Sequence, residues 1–296
     1  MDQLSVTGKN RRALWVVFGL TFTYFIVEVV GGLVTNSLAL LADAAHMLAD
    51  VGGLGLALFA AWMSKKPATP QRTYGYYRIE ILAALANAVV LFLMAFFILF
   101  EAYRRFREPP EVSSLPMMGV AAVGLVVNLI GMWMLRKASG ESLNMQGAYL
   151  EVVSDLLGSV GVLIAGVVML TTGWYYADPL FSVVIGLFIL PRTWGLMKQA
   201  VNVLLEATPA RVNLAEVEKA LLGIEGVASV HDLHVWTITS GLDALSGHVV
   251  LAAGVEPAVA DAVVERAAAV LQETFQIGHT TIQVERTDRK AGELPF

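Results

Sequence analysis

The stretch 37–55, SLALLADAAHMLADVGGLG, restricts the possible folds more than any other part of the chain. It lies in an apolar run of membrane-crossing length, for which about 20 residues suffice. Yet it carries Asp43, His46 and Asp50 at i, i+3 and i+7, which a helix places on one face. A carboxylate at mid-bilayer costs about 2.5 to 3.5 kcal/mol on insertion scales, so a face of this kind looks into a cavity, a partner or a bound ion. Any fold for this chain must bring something cationic to it.

Five further apolar runs have the same length. With 37–55 absorbed into the second, the spans are read as 13–34, 39–63, 79–103, 115–135, 147–169 and 180–203. Hydrophobic residues make up 56% of the sequence and charged residues 15%, which excludes an ordinary soluble globule and makes this an integral membrane protein. The first run lacks an A-x-A-like cleavage site and is too long for a signal peptide, so it is read as a true span. There is no cysteine, which excludes disulfides, thiolate metal sites and thiol redox chemistry. The net charge of −5 says little, because in a membrane protein the placement of charge matters more than its sum. Six spans return both termini to one side. Lys9, Arg11, Arg12, Lys65, Lys66, Arg72, Arg78, Arg136, Lys137, Arg192 and Lys198 fall on that side, and Arg104, Arg105 and Arg107 oppose them. The positive-inside rule therefore puts both termini in the cytoplasm, with the arginine cluster as the exception.

After residue 205 the pattern changes. The expected division is a six-span transport domain, 1–207, and a cytoplasmic domain, 208–296. In the latter, helices are predicted over 214–222 and 257–275, and strands over 228–239, 245–253 and 280–285. The order α-β-β-α-β suits a small α+β sandwich of ferredoxin-like type. At about 80 residues its core is modest, so dimerisation would support it. The tail 286–296 is expected to fray. Glycines recur inside the spans, among them Gly31, Gly53, Gly158 and Gly166, where they permit either close helix contact or hinging.

The fifth span repeats the polar pattern of the second. AYLEVVSDLLGSVG places Glu151 and Asp155 at i, i+4, as His46 and Asp50 stand, and a shift of 105 residues also superposes Gly53 on Gly158. Each half holds three spans, so a duplicated half would be inverted in the membrane, with its site near the midplane. His46, Asp50, Glu151 and Asp155, one imidazole and three carboxylates on antiparallel spans, suit a tetrahedral divalent metal at about 2.0 to 2.2 Å per bond. Neither the second nor the fifth span contains a Lys or Arg to neutralise them. The alternative, protonated acids hydrogen-bonded to neighbouring helices, has to explain two matched pairs. Asp43 fits two roles, a carboxylate that holds the His46 ring N–H or a group in the outer vestibule. Glu28, Asn87 and Asn128 are polar groups placed either for interhelical hydrogen bonds or for ion contact.

NSLALLADAAHMLAD, TYGYYRIEILAALANAVV, EVVSDLLGSVGV, the ADPL before the sixth span, HDLHVWTITSG and HTTIQVE occur in order along nearly the whole chain. Together they resemble the cation diffusion facilitator family of metal-ion/proton antiporters, and within it the bacterial zinc/cobalt/cadmium exporters. The resemblance implies a homodimer in the lipid bilayer and a transport site at His46, Asp50, Glu151 and Asp155. It further implies a cytoplasmic domain that binds regulatory metal, Zn²⁺ being both substrate and bound ion. His231, His248 and Glu285 match metal-binding positions of that domain, with His279 a further candidate. Gln283 stands where some relatives place another histidine. Arg78 and Glu206 match a family charge pair at the membrane boundary and read equally as snorkelling charges at helix ends. Three departures stand out: Glu151 replaces the histidine of many zinc-selective relatives, KKPATPQRTYGYYR has no His or Asp for a loop site, and RKASGES lacks a histidine-rich loop.

The expected function is export of Zn²⁺, with Co²⁺ and Cd²⁺, in exchange for protons. Metal ligands bind deprotonated, so metal and H⁺ compete, and a histidine with a reference pKa of about 6.5 switches near neutral pH. A rival reading, an intramembrane metalloenzyme, lacks the H-E-x-x-H spacing such sites use. A second rival is a metal sensor in which the terminal domain alone matters. No nucleic-acid partner is expected.

Overall fold

In lipid every backbone N–H and C=O must be bonded within the protein, and a continuous apolar run achieves that only as a helix. The computed structural model describes residues 4–63, 66–136, 143–255 and 257–287. Its first six elements are the helices α1 (Leu4–Thr35), α2 (Leu38–Met63), α3 (Ile79–Arg107), α4 (Ser114–Leu135), α5 (Leu143–Thr172) and α6 (Ala177–Leu204). Five of them are long and apolar enough to cross a membrane, and α2 contributes the shorter apolar stretch Leu38–Leu48 among the described residues. The expected six-span plan is the observed one. Lys65, the connection 137–142 and the tail from 288 lie outside the described residues.

The chain divides into two compact units, residues 1–58 with 86–197 and residues 59–85 with 198–296. In the first, α4 packs against α5 and α1. Its contacts are close because small residues line them. A side chain at Gly124 would run into the Tyr24 phenol, and one at Gly166 into Met118. Ala39 and Leu40 of α2 join Met117 and Ala121 of α4, and Val162, Ala165 and Met169 of α5, in one buried cluster. Outward-facing Phe96, Phe97, Phe100, Trp133 and Phe188 are exposed, as a surface that meets acyl chains requires.

The arginine cluster that ran against the charge rule has a structural explanation. Arg105 is 8% exposed and contacts Asp178 of α6 at 3.4 Å. It also donates to the Asn36 carbonyl at 2.6 Å and to Asn36 Oδ1 at 2.9 Å. Arg104 pairs with Glu101, and Arg107 lies over the Tyr103 ring. Arg105 is thus a packed structural charge held by Asp178 and Asn36.

In the second unit α7 (Leu214–Leu222), β1 (Val227–Thr239), β2 (Leu242–Leu251), α8 (Pro257–Phe275) and β3 (His279–Glu285) follow the expected α-β-β-α-β order closely. Asn213 caps α7 by accepting from Ala215 N at 3.0 Å. β1 and β2 are antiparallel, β2 and β3 parallel, and the sheet order is β1-β2-β3. The β2-α8-β3 crossover therefore closes on directly neighbouring strands. Val217, Leu221, Val235, Leu245, Val249, Val263, Leu271 and Ile277 form its core.

Two glycines of α1-facing α4 separate packing from propensity. Gly124→Ala should destabilise the purified protein by about 1 to 3 kcal/mol through overpacking against Tyr24. Gly119→Ala meets nothing within 4 Å and should be neutral or slightly stabilising. Thermal melts of both variants in detergent give the comparison.

Candidate metal sites

The membrane site is built by the antiparallel register of α2 against α5. Ala39 and Leu40 cluster with Val162 and Ala165, Asp43 packs against Gly158, and His46 Nε2 lies 3.9 Å from Asp155 Oδ1. Each advance of a turn along α2 is matched by a turn back along α5. Both side chains are removed from solvent, His46 at 7% and Asp155 at 3% exposure. The side chains of Asp50 and Glu151 lie outside the described residues.

Asp43 does not reach the His46 ring. Its carboxylate fits into the space that Gly158 leaves free, where a β-carbon would collide with it, and it faces Glu28 of α1. Glu28 accepts from Tyr24 Oη at 3.0 Å, and Asn128 of α4 donates to Ser159 Oγ of α5 at 3.5 Å. Glu28, Asp43, Asn128 and Ser159 are all buried. Asn87 of α3 lies against Gly52 of α2. Polar groups from α1, α2, α4 and α5 thus meet a turn away from His46 and Asp155, which sequence spacing along single helices does not disclose.

The second site sits on the sheet. His231 and His248 are directly opposed partners on β1 and β2, their rings 5.1 Å apart and nearly perpendicular. Glu285, in the last position of β3, pairs with Val250 of β2. Its Oε2 lies 3.5 Å from His231 Nε2 and its Oε1 lies 3.5 Å from His248 Nδ1. These separations are long for hydrogen bonds. One nitrogen of each histidine and one carboxylate oxygen lie within 4.8 Å of one another, close enough to hold a single metal ion. His231 and Glu285 are buried, and His248 is partly so. Two imidazoles and a carboxylate suit a borderline divalent ion such as zinc.

His279 is not brought to this cluster. It lies at the opposite end of β3, edge-on to Tyr74 at 5.8 Å, in the lining of a cavity of about 680 Å³ shared with Lys66, Thr73 and Tyr77. Gln283 has a place the sequence did not suggest. It is the strand partner of His248, and its amide donates to Glu285 Oε1 at 2.8 Å, the supporting bond that orients a ligating carboxylate. Asp232, held at φ 50° in the β1 bulge, contacts His234 Nε2 at 2.9 Å and lies 3.9 Å from His248 Nε2. The spacing of HDLH, an acid between two histidines, is the signal that would have pointed to it.

Arg78 and Glu206 meet at 2.6 Å, with Glu206 in the left-handed region just past α6. Both side chains are well exposed, so the pair itself contributes little stability. Beside it Glu80 accepts from Thr239 Oγ1 at 2.6 Å and Ser240 Oγ at 2.7 Å, at the tip of the β1-β2 hairpin.

Comparison with known proteins follows the same division. The model of the cation efflux transmembrane domain matches residues 14–205, and that of the cation efflux protein cytoplasmic domain matches residues 209–287. The metal cation efflux system protein CzcD of Cupriavidus metallidurans is 51% identical over 94% of this chain and 87% of its own length. The cadmium, cobalt and zinc/H(+)-K(+) antiporter of Bacillus subtilis is 42% identical over 82% of this chain and 79% of its own. The zinc transporter ZitB of Escherichia coli is 40% identical over 94% and 88%.

Replacing Gln283 by Ala frees the Glu285 carboxylate to turn. Divalent metal affinity at the sheet cluster is expected to fall about 10- to 100-fold, read by competition with a chromophoric chelator.

Proposed function

The chain belongs to the cation efflux family, and on that premise we propose that it exports Zn²⁺, with Co²⁺ and Cd²⁺, from the cytoplasm in exchange for protons. His46, Asp50, Glu151 and Asp155 form the transport site. The observation that carries this reading is the α2/α5 register, which sets His46 against Asp155 inside the helix bundle. The Bacillus subtilis cadmium, cobalt and zinc/H(+)-K(+) antiporter and the Escherichia coli zinc transporter support the choice of cargo and of counter-ion.

The chemistry follows from the ligands. An imidazole binds metal through a deprotonated nitrogen, and a carboxylate as the anion, so each bound proton opposes metal binding. On the cytoplasmic side the deprotonated site captures the ion. On the outer, more acidic side, protons take the ligands and the ion leaves, and alternating exposure of the site couples the two flows. Three carboxylates against one histidine make the site harder than a histidine-rich one, which suits a cargo range wider than zinc.

The working unit is a homodimer in a bacterial inner membrane, both termini cytoplasmic, with residues 1–207 as the transport domain and 208–296 as the cytoplasmic one. There His231, His248 and Glu285 hold a regulatory ion, for which the 3.5 Å ligand spacings are the support. The Arg78–Glu206 pair ties the end of α6 to the approach of α3 and acts as a hinge during closure.

Uptake of Zn²⁺ by proteoliposomes under an imposed pH gradient tests the assignment. His46→Ala and Asp155→Ala should each lower the flux by about a hundredfold, in line with second-shell losses of 10- to 100-fold as a lower bound. His231→Ala should leave flux at saturating metal and change its dependence on metal concentration. Wild-type rates in His46→Ala would place the transport site elsewhere.

A further inference from the structure

Asp178 has no solvent exposure, yet it is no part of either metal cluster. It stands in the first turn of α6 and accepts from Ser37 Oγ at 2.6 Å, from Leu38 N at 2.8 Å, from Ala39 N at 3.1 Å and from Arg105 Nη1 at 3.4 Å. Ser37 Oγ in turn accepts from Leu40 N at 3.2 Å. The free N–H groups that begin any helix are therefore satisfied in α2 by a carboxylate 140 positions away in sequence, with one serine as relay. An N-terminal cap is ordinarily a sequence neighbour. The negative charge also complements the helix N-terminus.

We propose that Asp178 is a positioning residue for transport, which holds the start of α2, and through it the His46 face, in register with α3 and α6. The α1–α2 turn is clasped as well, because Arg105 binds both Asn36 oxygens while it reaches Asp178. α2 cannot slide or turn at this end without stripping two N–H groups and the Ser37 hydroxyl of their carboxylate in a buried region. His46 lies eight residues further on, about 12 Å along the axis. A displacement of the first turn is transmitted to it by a rigid helix. Asp178 and Arg105 thus make the ends of α2, α3 and α6 move together, so that the swing that exposes the site is one motion and not three. This rests on the transport reading above.

The test uses the full-length protein in proteoliposomes with Zn²⁺ as the probe. Asp178→Asn keeps the shape, removes the charge and turns an amide N–H₂ toward N–H donors. The maximal flux should fall about tenfold or more, the loss expected for hydrogen bonds to a charged group. The KM should stay within about threefold, because the site ligands are chemically intact. Amides of Leu38 and Ala39 should exchange with deuterium faster than in the wild type, while the β1-β2 hairpin is unchanged. Ser37→Ala, a milder change, should move both readouts the same way by about threefold. Arg107→Gln, whose guanidinium lies over the Tyr103 ring of its own helix, is the control and should leave flux unchanged. Flux in Asp178→Asn within twofold of wild type would overturn the proposal, as would lost flux without faster exchange at the start of α2. If Asp178→Asn fails to fold, an unchanged Ser37→Ala overturns it equally. Absence of flux in the wild type counts against export itself, and the exchange pattern then decides alone whether Asp178 holds α2.

Discussion

A buried carboxylate holding the first turn of a neighbouring helix is the contact on which the membrane unit is organised. Asp178 satisfies the open N–H groups of α2, Arg105 balances its charge, and Asn36 binds Arg105 in turn. In water such a node would be worth little. Away from water each unmade bond would cost the full desolvation of its group, so the arrangement is strongly specified. It sets where α2 begins, and α2 carries the half-site that α5 completes.

The two candidate metal clusters use different scaffolds for one chemical problem. In the membrane, His46 of α2 stands against Asp155 of α5, one candidate ligand from each helix. Small residues let the helices approach: Gly158 gives way to Asp43 and so brings α2 against α5. On the sheet, ligands come one from each strand, with His231 opposed to His248 and Glu285 reaching both. Helices can shift against one another by whole side chains, whereas a hydrogen-bonded sheet holds its register. A cargo site that must open suits the first, and a resident ion suits the second.

Near the end of α6 the second unit carries short polar contacts of its own. Arg78–Glu206 and the Glu80 bonds to Thr239 and Ser240 lie within one compact unit. β1 runs from Val227 to Thr239, so the strand that carries the candidate ligand His231 also ends on Glu80. The exposed charges keep the cost of rearrangement low.

Much was legible in the sequence. Apolar runs of bilayer length leave the backbone no option but helix, so the six spans could be read directly. Helical spacing put His46 with Asp50 and Glu151 with Asp155, and alternation gave the strands of the terminal domain. Partners from distant segments were not legible, because no periodicity encodes them. The role of Arg105 looked like a topological exception until Asp178 stood beside it. Gln283 read as a lost ligand, whereas its position across from His248 makes it a support for Glu285. His279 read as a further ligand candidate from the family resemblance, but the seven residues of β3 carry it to Tyr74 instead. Asp43 shared a face with His46, but the glycine opposite drew it toward α5 and Glu28. The sequence by itself determined the elements and the chemistry each face carries, since these follow from local period and transfer energy. Only the tertiary structure decided which faces meet, because that depends on where small residues let helices close and where buried charges find their partners.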